Sequence, residues 1–326
     1  MSKSASSMTT SASFTKTLKK TLLNNEVIGV FIAFLILCGS LAVLSPYFLT
    51  SKNIFNVLRQ FSLIGILAIG QAFIIITAGI DLSVGATVAI TACIAAMLTV
   101  SGMSPIMVLL LTLVLGAAVG CINGLLITKI KINPFIVTMG MMSVVRGATL
   151  LITDGLPINF ESSLAYLGNG YIGLVPVPVI IMFLVVAIGY VFANNTLTGR
   201  NIYAVGNNQR AAILSGIRAD RVKLLVYVIM GLLAGLCGIM LAGNLNSADP
   251  SFGTGYEMDV IAAVVIGGVS LAGGQGSIIG VIIGAALMGV LRNGFVLLGI
   301  SAYWQTVTIG LVIILAVAMD SLRRRN

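Results

Sequence analysis

The sequence predicts an all-α polytopic membrane protein with about ten transmembrane helices. Of its 326 residues, 58% are hydrophobic and only 8% are charged. Soluble domains contain about 25% charged residues, and a soluble fold of this size could not cover so much apolar surface. Several uncharged runs also reach the roughly 20 residues that a helix needs to cross the hydrocarbon core.

The first half of the chain predicts six spans. Residues 27–44 form span one, and residues 60–80 form span two. The next 47 residues, 82–128, carry no charge and are interrupted only by the turn-forming stretch 101–105, which predicts spans three and four joined by a tight turn. Spans five and six cover 133–153 and 176–193.

The second half predicts four more spans, two of which are short. Span seven covers 224–248, and the last span covers 302–319. Between them, residues 260–291 are uncharged but contain the stretch GGVSLAGGQGS. Because glycine disfavours a continuous helix, we expect spans eight and nine as two short or broken helices, the first starting near Tyr256.

The distribution of basic residues favours ten spans. With the N-terminus in the cytoplasm, 14 of the 18 lysines and arginines fall in cytoplasmic segments and 3 in external ones, which follows the positive-inside rule. Both termini are then cytoplasmic. The expected organisation is a cytoplasmic tail, a membrane domain and a short basic tail, at 1–25, 26–322 and 323–326.

A faint internal similarity indicates a repeat. GAAVGCING at 116–124 resembles GAALMGVLRNG at 284–294, and GIDLSVGATVAI at 79–90 weakly resembles GYEMDVIAAVVI at 255–266. In the ten-span arrangement the paired helices run in opposite directions, as in an inverted repeat of spans 2–5 and 7–10. Chance similarity between helices rich in glycine and alanine is the alternative.

Several classes of chemistry are excluded or disfavoured by composition. The chain has no histidine, so catalysis or metal binding by histidine is excluded. It has no P-loop motif for ATP. Its net charge of +9 is spread over short loops and tails, so it does not indicate nucleic-acid binding. We therefore expect no catalytic, metal-binding or cofactor-binding residue.

Four polar residues in or beside the spans are candidates for the translocation path or for a helix break. Asp81 and Ser83, in GIDLSVG, are residues that cap helices well, so a capped break and a broken helix lining a polar route are both consistent with them. Asn123 lies in span four. Arg146 lies in span five, where it needs either a partner or a route by which its long side chain reaches the interface.

Two predicted loops carry further candidates. The external segment SADPSFGTGYEMDV contains Asp249, Glu257 and Asp259 and no basic residue, so it could dock a partner or cap helix eight. The loop at 194–223 is the longest cytoplasmic connection and carries five basic residues. Within it, NNQRAAILSGI predicts a short helix ended by Gly216 that packs on something else; a solvated positive loop is the alternative.

Four ordered motifs resemble the permease subunits of bacterial ABC importers for monosaccharides. They are GIDLSVG, GRNIYAVGNNQRAAILSGI, GTGYEMDVIAAVVIGGVSLAGGQGSIIG and RNGFVLLGISAYWQ. The resemblance covers nearly the whole chain from about residue 27. It implies import of a monosaccharide, with ribose expected, by a pair of permeases, most simply a homodimer embedded in the lipid of the inner membrane. It also implies a cytoplasmic subunit that binds ATP and a periplasmic sugar-binding protein.

The resemblance also assigns a role to the 194–223 loop. Residues 206–217 match the family's coupling segment, which fits into the surface of the ATPase. An acidic residue usual in that motif is replaced here by Asn208 or Gln209. The implied coupling residues are Arg200, Gly206, Asn208, Ala211, Ala212 and Gly216. A self-powered secondary transporter of a small polar solute is the alternative function, although such a transporter would usually carry more ionisable groups within its spans.

Overall fold

Ten apolar helices follow one another in the computed structural model, which describes residues 26–323. Five of them precede the first long loop: α1 Glu26–Leu44, α2 Ser51–Ile76, α3 Val84–Val100, α4 Pro105–Thr128 and α5 Pro134–Thr153. The loop that follows contains β1 Ile158–Asn159, a 3₁₀ turn Ser163–Ala165, α6 Tyr166–Asn169, β2 Tyr171–Ile172 and β3 Val175–Pro176.

The second half supplies the other five apolar helices and two short ones between them. In chain order these elements are α7 Val177–Asn195, α8 Leu197–Asn207, α9 Gln209–Leu214, α10 Ala219–Leu245, β4 Ser247–Ala248, α11 Tyr256–Ile266, α12 Ile278–Leu297 and α13 Ala302–Arg323. The all-α polytopic prediction is confirmed. The predicted tails at 1–25 and 324–326 lie outside the described residues.

Seven of the described helices are long and apolar enough to cross a membrane: α1, α2, α4, α5, α7, α10 and α12. Helix α3 has 17 residues and α11 only 11, and the apolar part of α13 is Ala302–Ala318. Ten crossings therefore stay a prediction, while the ten apolar helices lie where the uncharged runs predict them. Helix α2 begins nine residues before the predicted start of span two, at Ser51, because Thr50 caps it by accepting from the N–H of Asn53.

Helix α2 forms the centre of the structure. Every residue from Phe61 to Ile76 is buried, and α7, α10, α11 and α12 pack around it. A helix that is apolar on all sides is covered either by other helices, as α2 is, or by lipid. Helix α1 is the opposite case, because most of its apolar surface is exposed within this chain.

Close contact between α4 and α10 explains one half of the internal similarity. Gly116 and Gly120 of α4 lie against the carbonyl oxygens of Gly231 and Tyr227 in α10, and a Cβ atom at either glycine would overlap those oxygens. Small residues four apart allow two helix backbones to approach in this way. Helix α12 contacts α2, which is the pairing that an inverted repeat of spans 2–5 and 7–10 would produce. The close approach itself differs, because Gly284 of α12 lies against Ala263 of α11.

Segments predicted to lie on the same side of the membrane are neighbours in the structure. Strand β1 pairs antiparallel with β4, so the two long external loops are joined, with Ile158 opposite Ala248. On the other side, the Nζ atom of Lys131 lies 2.7 Å from a carboxylate oxygen of Asp220. These contacts agree with the predicted order of crossings, and the two ends of the bundle are called the external and cytoplasmic ends below on that basis.

Candidate functional site

The GIDLSVG segment forms a buried break between α2 and α3. Asp81 is only 3% exposed. Its Oδ1 atom accepts hydrogen bonds from the main-chain N–H of Ser83, at 2.8 Å, and from the Ser83 hydroxyl, at 2.6 Å. The carboxylate therefore orders the turn that leads into α3, as aspartate does in Asx turns. Ser83 occupies the N-cap position, but its hydroxyl makes no capping hydrogen bond to α3.

Of the two other candidates for the translocation path, Asn123 joins Asp81 and Ser83, whereas Arg146 does not. Asn123 lies beside the break, where its Nδ2 atom donates to the Ser83 hydroxyl at 2.9 Å. Asp81, Ser83 and Asn123 thus form one polar cluster. Tyr227 of α10 completes its surroundings by donating to the carbonyl of Ile80 at 3.0 Å. Sequence reasoning missed Tyr227; a hydroxyl in an otherwise apolar span was the available signal.

Arg146 of α5 is not part of this cluster, and its side chain packs against the segment between β4 and α11. Its guanidinium donates to the carbonyl oxygens of Pro250, at 2.6 Å, and Phe252, at 2.8 Å. The side chain therefore has partners within the chain. In the same segment Gly253 lies against Gly85, at the start of α3, so closely that neither could carry a side chain. Arg146 holds the external segment in contact with the first turn of α3.

The predicted acidic rim contains two surface residues, and a third that lies inside. Asp249 and Glu257 are partly exposed. Hydrogen bonds from the hydroxyl and main-chain N–H of Ser251 lower the pKa of Asp249. Asp259 is 1% exposed, and its carboxylate pairs with the Arg292 guanidinium of α12 at 2.5 Å. The expectation that Asp259 docks a partner is wrong for this conformation, because α11 turns this side chain toward α12.

The 194–223 loop folds into two helices at the cytoplasmic end. Thr196 caps α8 by accepting from the N–H of Gly199, and Asn208 caps α9 by accepting from the N–H of Ala211, both at 3.0 Å. Gly216 has a φ of +85°, which ends the helical stretch and favours glycine. The predicted short helix is therefore present, with Asn208 as its cap.

Helix α9 presents a different face from the one predicted. Ala212 is buried within the chain, so the expectation that it sits against a partner surface is wrong; the turn of α9 directs it toward the protein's own core. Ala211 and Arg200 are exposed. Two large apolar side chains are also exposed, Ile213 at 53% and Leu214 at 89%. They form the apolar tip of the loop.

Helix α8 contacts both glycine-containing breaks. Gly206 lies against the carbonyl oxygen of Ile76 and the N–H of Gly274, and a Cβ atom at 206 would overlap both. The Gly274 N–H donates to that same Ile76 carbonyl at 2.8 Å. The Tyr203 hydroxyl, whose pKa burial raises, donates to the carbonyl of Gly276 at 3.2 Å. We call Ile76, Tyr203, Gly206, Gly274 and Gly276 the junction.

The junction accounts for the GGQGS stretch. Gly273 and Gly274 both have positive φ, at +85° and +76°, and both lie against neighbouring main chain. Glycine is needed there for backbone conformation and close packing, which agrees with its interpretation as a helix break.

Comparisons with known proteins give a family and close relatives. The family described as branched-chain amino acid transport system / permease component matches residues 53–317. The chain is 46% identical over 298 residues to the ribose import permease protein RbsC of Bacillus subtilis, covering 90% of this chain and 92% of that protein.

Two further relatives come from Escherichia coli K12. The chain is 44% identical over 295 residues to its ribose import permease protein RbsC, covering 89% of this chain and 92% of the relative. It is 38% identical over 301 residues to the D-allose transport system permease protein AlsC, covering 90% and 91%. No solved structure gives a significant match.

Proposed function

This chain belongs to the family described as branched-chain amino acid transport system / permease component, and we propose that it is the translocating subunit of an ATP-driven importer of ribose. The chain itself is not an enzyme, and ATP is hydrolysed by a separate cytoplasmic subunit. Two copies form the pathway in the bacterial inner membrane, with all termini in the cytoplasm. A periplasmic binding protein delivers the sugar.

The choice of ribose is supported by the names of the relatives. Proteins called ribose import permeases are 46% and 44% identical to this chain over about nine-tenths of its length, whereas the relative named for D-allose is 38% identical. A neutral sugar also needs no fixed counter-charge along its path. The small number of ionisable groups within the spans fits such a substrate.

The apolar tip at Ile213 and Leu214 is the proposed contact with the ATPase. Large apolar side chains on a short, exposed helix are unfavourable in water unless a partner covers them. Arg210, within α9, and Arg218, which follows it, are exposed as well. An ATPase surface with an apolar cleft and acidic residues at its rim would complement this tip.

The single observation that carries the proposal is the contact of Gly206 with Ile76. Helix α8 connects the apolar tip to the last carbonyl of α2, and that carbonyl also receives the N–H of Gly274. A displacement of α8 and α9 by the ATPase would therefore act directly on both breaks, 77–83 and 267–277. Asp81, Ser83 and Asn123 are the proposed polar groups at the first break, where the pathway opens.

On the external side, Asp249 and Glu257 remain the proposed docking residues for the binding protein. Asp249 lies on the segment that Arg146 holds through Pro250 and Phe252, and Glu257 lies in the first turn of α11, which follows that segment. Because this segment also contacts Gly85, docking there would reach the first turn of α3.

Transport by a reconstituted complex tests the proposal. The permease is placed in proteoliposomes with its ATPase, and uptake of labelled ribose, allose and galactose is measured with the binding protein outside. We expect ATP-dependent uptake with ribose preferred. Uptake of another sugar in preference to ribose would contradict the substrate assignment. Uptake that needs an ion gradient would contradict the whole proposal and favour a secondary transporter.

A further inference from the structure

A cavity of about 400 Å³, lined by both polar and apolar residues, lies between α2, α10, α11 and α12. Most of the residues that line it come from the first half of α2, the last two turns of α10 and the later part of α12, so it belongs to the external half of the bundle. Neither the junction nor the apolar tip contributes to it. Its principal polar residues are Arg59, Gln60, Asn244, Asp259, Arg292 and Gln305.

Three charged groups at this cavity retain unused hydrogen-bonding capacity. The Oδ1 atom of Asp259 and the Nε atoms of Arg59 and Arg292 are buried and have no hydrogen-bond partner among the described residues. Asp259 itself is only 1% exposed. Leaving such groups buried and unpaired is costly, so a ligand or water that pairs with them would be stabilised. The cavity thus offers both acceptors and donors.

The cavity is covered from the external side by the loop that precedes α7. The guanidinium of Arg59 donates to the carbonyl of Asn169 at 3.3 Å, and its carbon lies 4.7 Å from the centre of the Tyr171 ring. Gly168 of the same loop lines the cavity. Arg59 therefore joins the wall of the cavity to its cover.

The shape and chemistry of the cavity fit a neutral sugar. Its volume falls in the range of about 300–1,000 Å³ that is typical of small-molecule sites. The charges of Asp259 and Arg292 compensate each other, and Arg59 is already engaged with the Tyr171 ring. Leu63 and Met288 supply apolar surface for the C–H face of a ring, while the amides and charged groups can pair with hydroxyls.

We propose that this cavity is a binding site for a neutral monosaccharide, occupied on the external side of each subunit during import. This inference deepens the proposed function and rests on it for the identity of the sugar. Asp259 would accept from sugar hydroxyls, and Arg292, Asn244 and Gln305 would donate to them. An anion held by the arginines is the competing occupant.

Protection of a cysteine from chemical modification tests the site without requiring transport. Gln60 is exposed and lines the cavity. It is replaced by cysteine, in Gln60→Cys, after the four native cysteines have been removed. The complete permease–ATPase complex in nanodiscs is treated with a hydrophilic thiol reagent, with and without D-ribose. The matched control is Ser51→Cys, which is exposed on the same helix but outside the cavity.

We expect ribose to slow modification of Gln60→Cys and to leave Ser51→Cys unchanged. Adding Asn244→Leu should raise the ribose concentration for half-protection by about threefold to tenfold, the effect of losing one hydrogen bond. Adding Asn194→Leu, the same change on an exposed helix end outside the cavity, should not. Val296→Cys, at an exposed apolar position that also lines the cavity, provides a second reporter in case the cysteine at 60 itself weakens binding.

The outcomes separate this inference from the proposed function. If the unmodified complex imports ribose but ribose protects neither reporter, the cavity assignment is overturned and the function stands. Protection by inorganic phosphate in place of ribose would identify an anion site and also overturn the inference. If ribose protects the reporters but no ATP-dependent uptake occurs, the proposed function fails while the sugar site stands.

Discussion

The α-carbon of Gly206 lies against the carbonyl oxygen of Ile76 so closely that no side chain could be added at position 206. The two residues are far apart in sequence, and they belong to the cytoplasmic helix α8 and to the central helix α2. Their contact joins the loop that the resemblance identifies as the coupling segment to the end of the most buried helix in the structure. It places the loop proposed to meet the ATPase against the end of α2 that precedes the break at Asp81.

Gly206→Ala tests this route. The added methyl group must displace both the Ile76 carbonyl and the Gly274 N–H, and we expect the overpacking to cost about 1–3 kcal/mol. The strain falls on the junction, so ribose uptake should fall while ATP hydrolysis by the complex loses its dependence on the binding protein. Both activities are measured on the same reconstituted complexes. Gly147→Ala is the control, because nothing lies within 4 Å of the added atom. Equal effects of the two changes would contradict the role of the junction in coupling.

Leu214→Ser tests the apolar tip. Leu214 is 89% exposed, so its loss should leave folding unchanged and weaken retention of the ATPase during purification of the complex. Leu174→Ser is the matched control, since Leu174 is 81% exposed at the external end. The measurement is the amount of ATPase recovered per permease. Normal recovery with Leu214→Ser would show that α9 is only a basic anchor.

Ala212→Trp should act differently from a change at the tip. Ala212 is buried, so the larger ring would overpack the core and lower the amount of folded permease in the membrane. Ala211→Trp, on the exposed neighbour, should leave the amount of permease unchanged. Comparison of the two by size-exclusion chromatography checks the orientation of α9; equal yields would contradict it.

Asp81→Asn and Asp81→Leu separate a structural role from a role of the charge. Asparagine keeps an Oδ1 acceptor for the Ser83 N–H and hydroxyl, so Asp81→Asn should fold normally. Leucine leaves both donors unpaired in a buried turn, at a cost of about 1–3 kcal/mol, so Asp81→Leu should give less folded permease. Yield and ribose uptake are measured for both. If both fold normally and both abolish uptake, the charge itself is required.

Single cysteines test the orientation of the bundle. In a background without the native thiols, Ser163→Cys and Ser251→Cys should react with an impermeant reagent from outside. Asn208→Cys should react only after the membrane is opened. All three positions are exposed in the structure, so a lack of labelling would not reflect burial. External labelling of Asn208→Cys would exclude the ten-span arrangement.

The helices and their breaks could be predicted because they depend on local composition. Uncharged runs locate the ten apolar helices, and the glycines of GGQGS mark a real interruption. The direction of individual side chains could not be predicted in the same way. Asp259 is buried against Arg292, and Ala212 is buried in the core. The position of a residue within a helical turn decides which neighbour its side chain faces, and the sequence of a short helix does not fix that neighbour. The packing of Gly206 on Ile76 depends on tertiary contacts that no local pattern contains.

Measuring which energy source drives ribose accumulation tests most directly whether this chain belongs to an ATP-driven importer. The wild-type permease and its ATPase are reconstituted in proteoliposomes with the cytoplasmic side facing inward, and labelled ribose is supplied with the binding protein outside. We expect ribose to accumulate above its external concentration only when ATP is enclosed, with no proton or sodium gradient present. Accumulation driven by an ion gradient in the absence of ATP would contradict it.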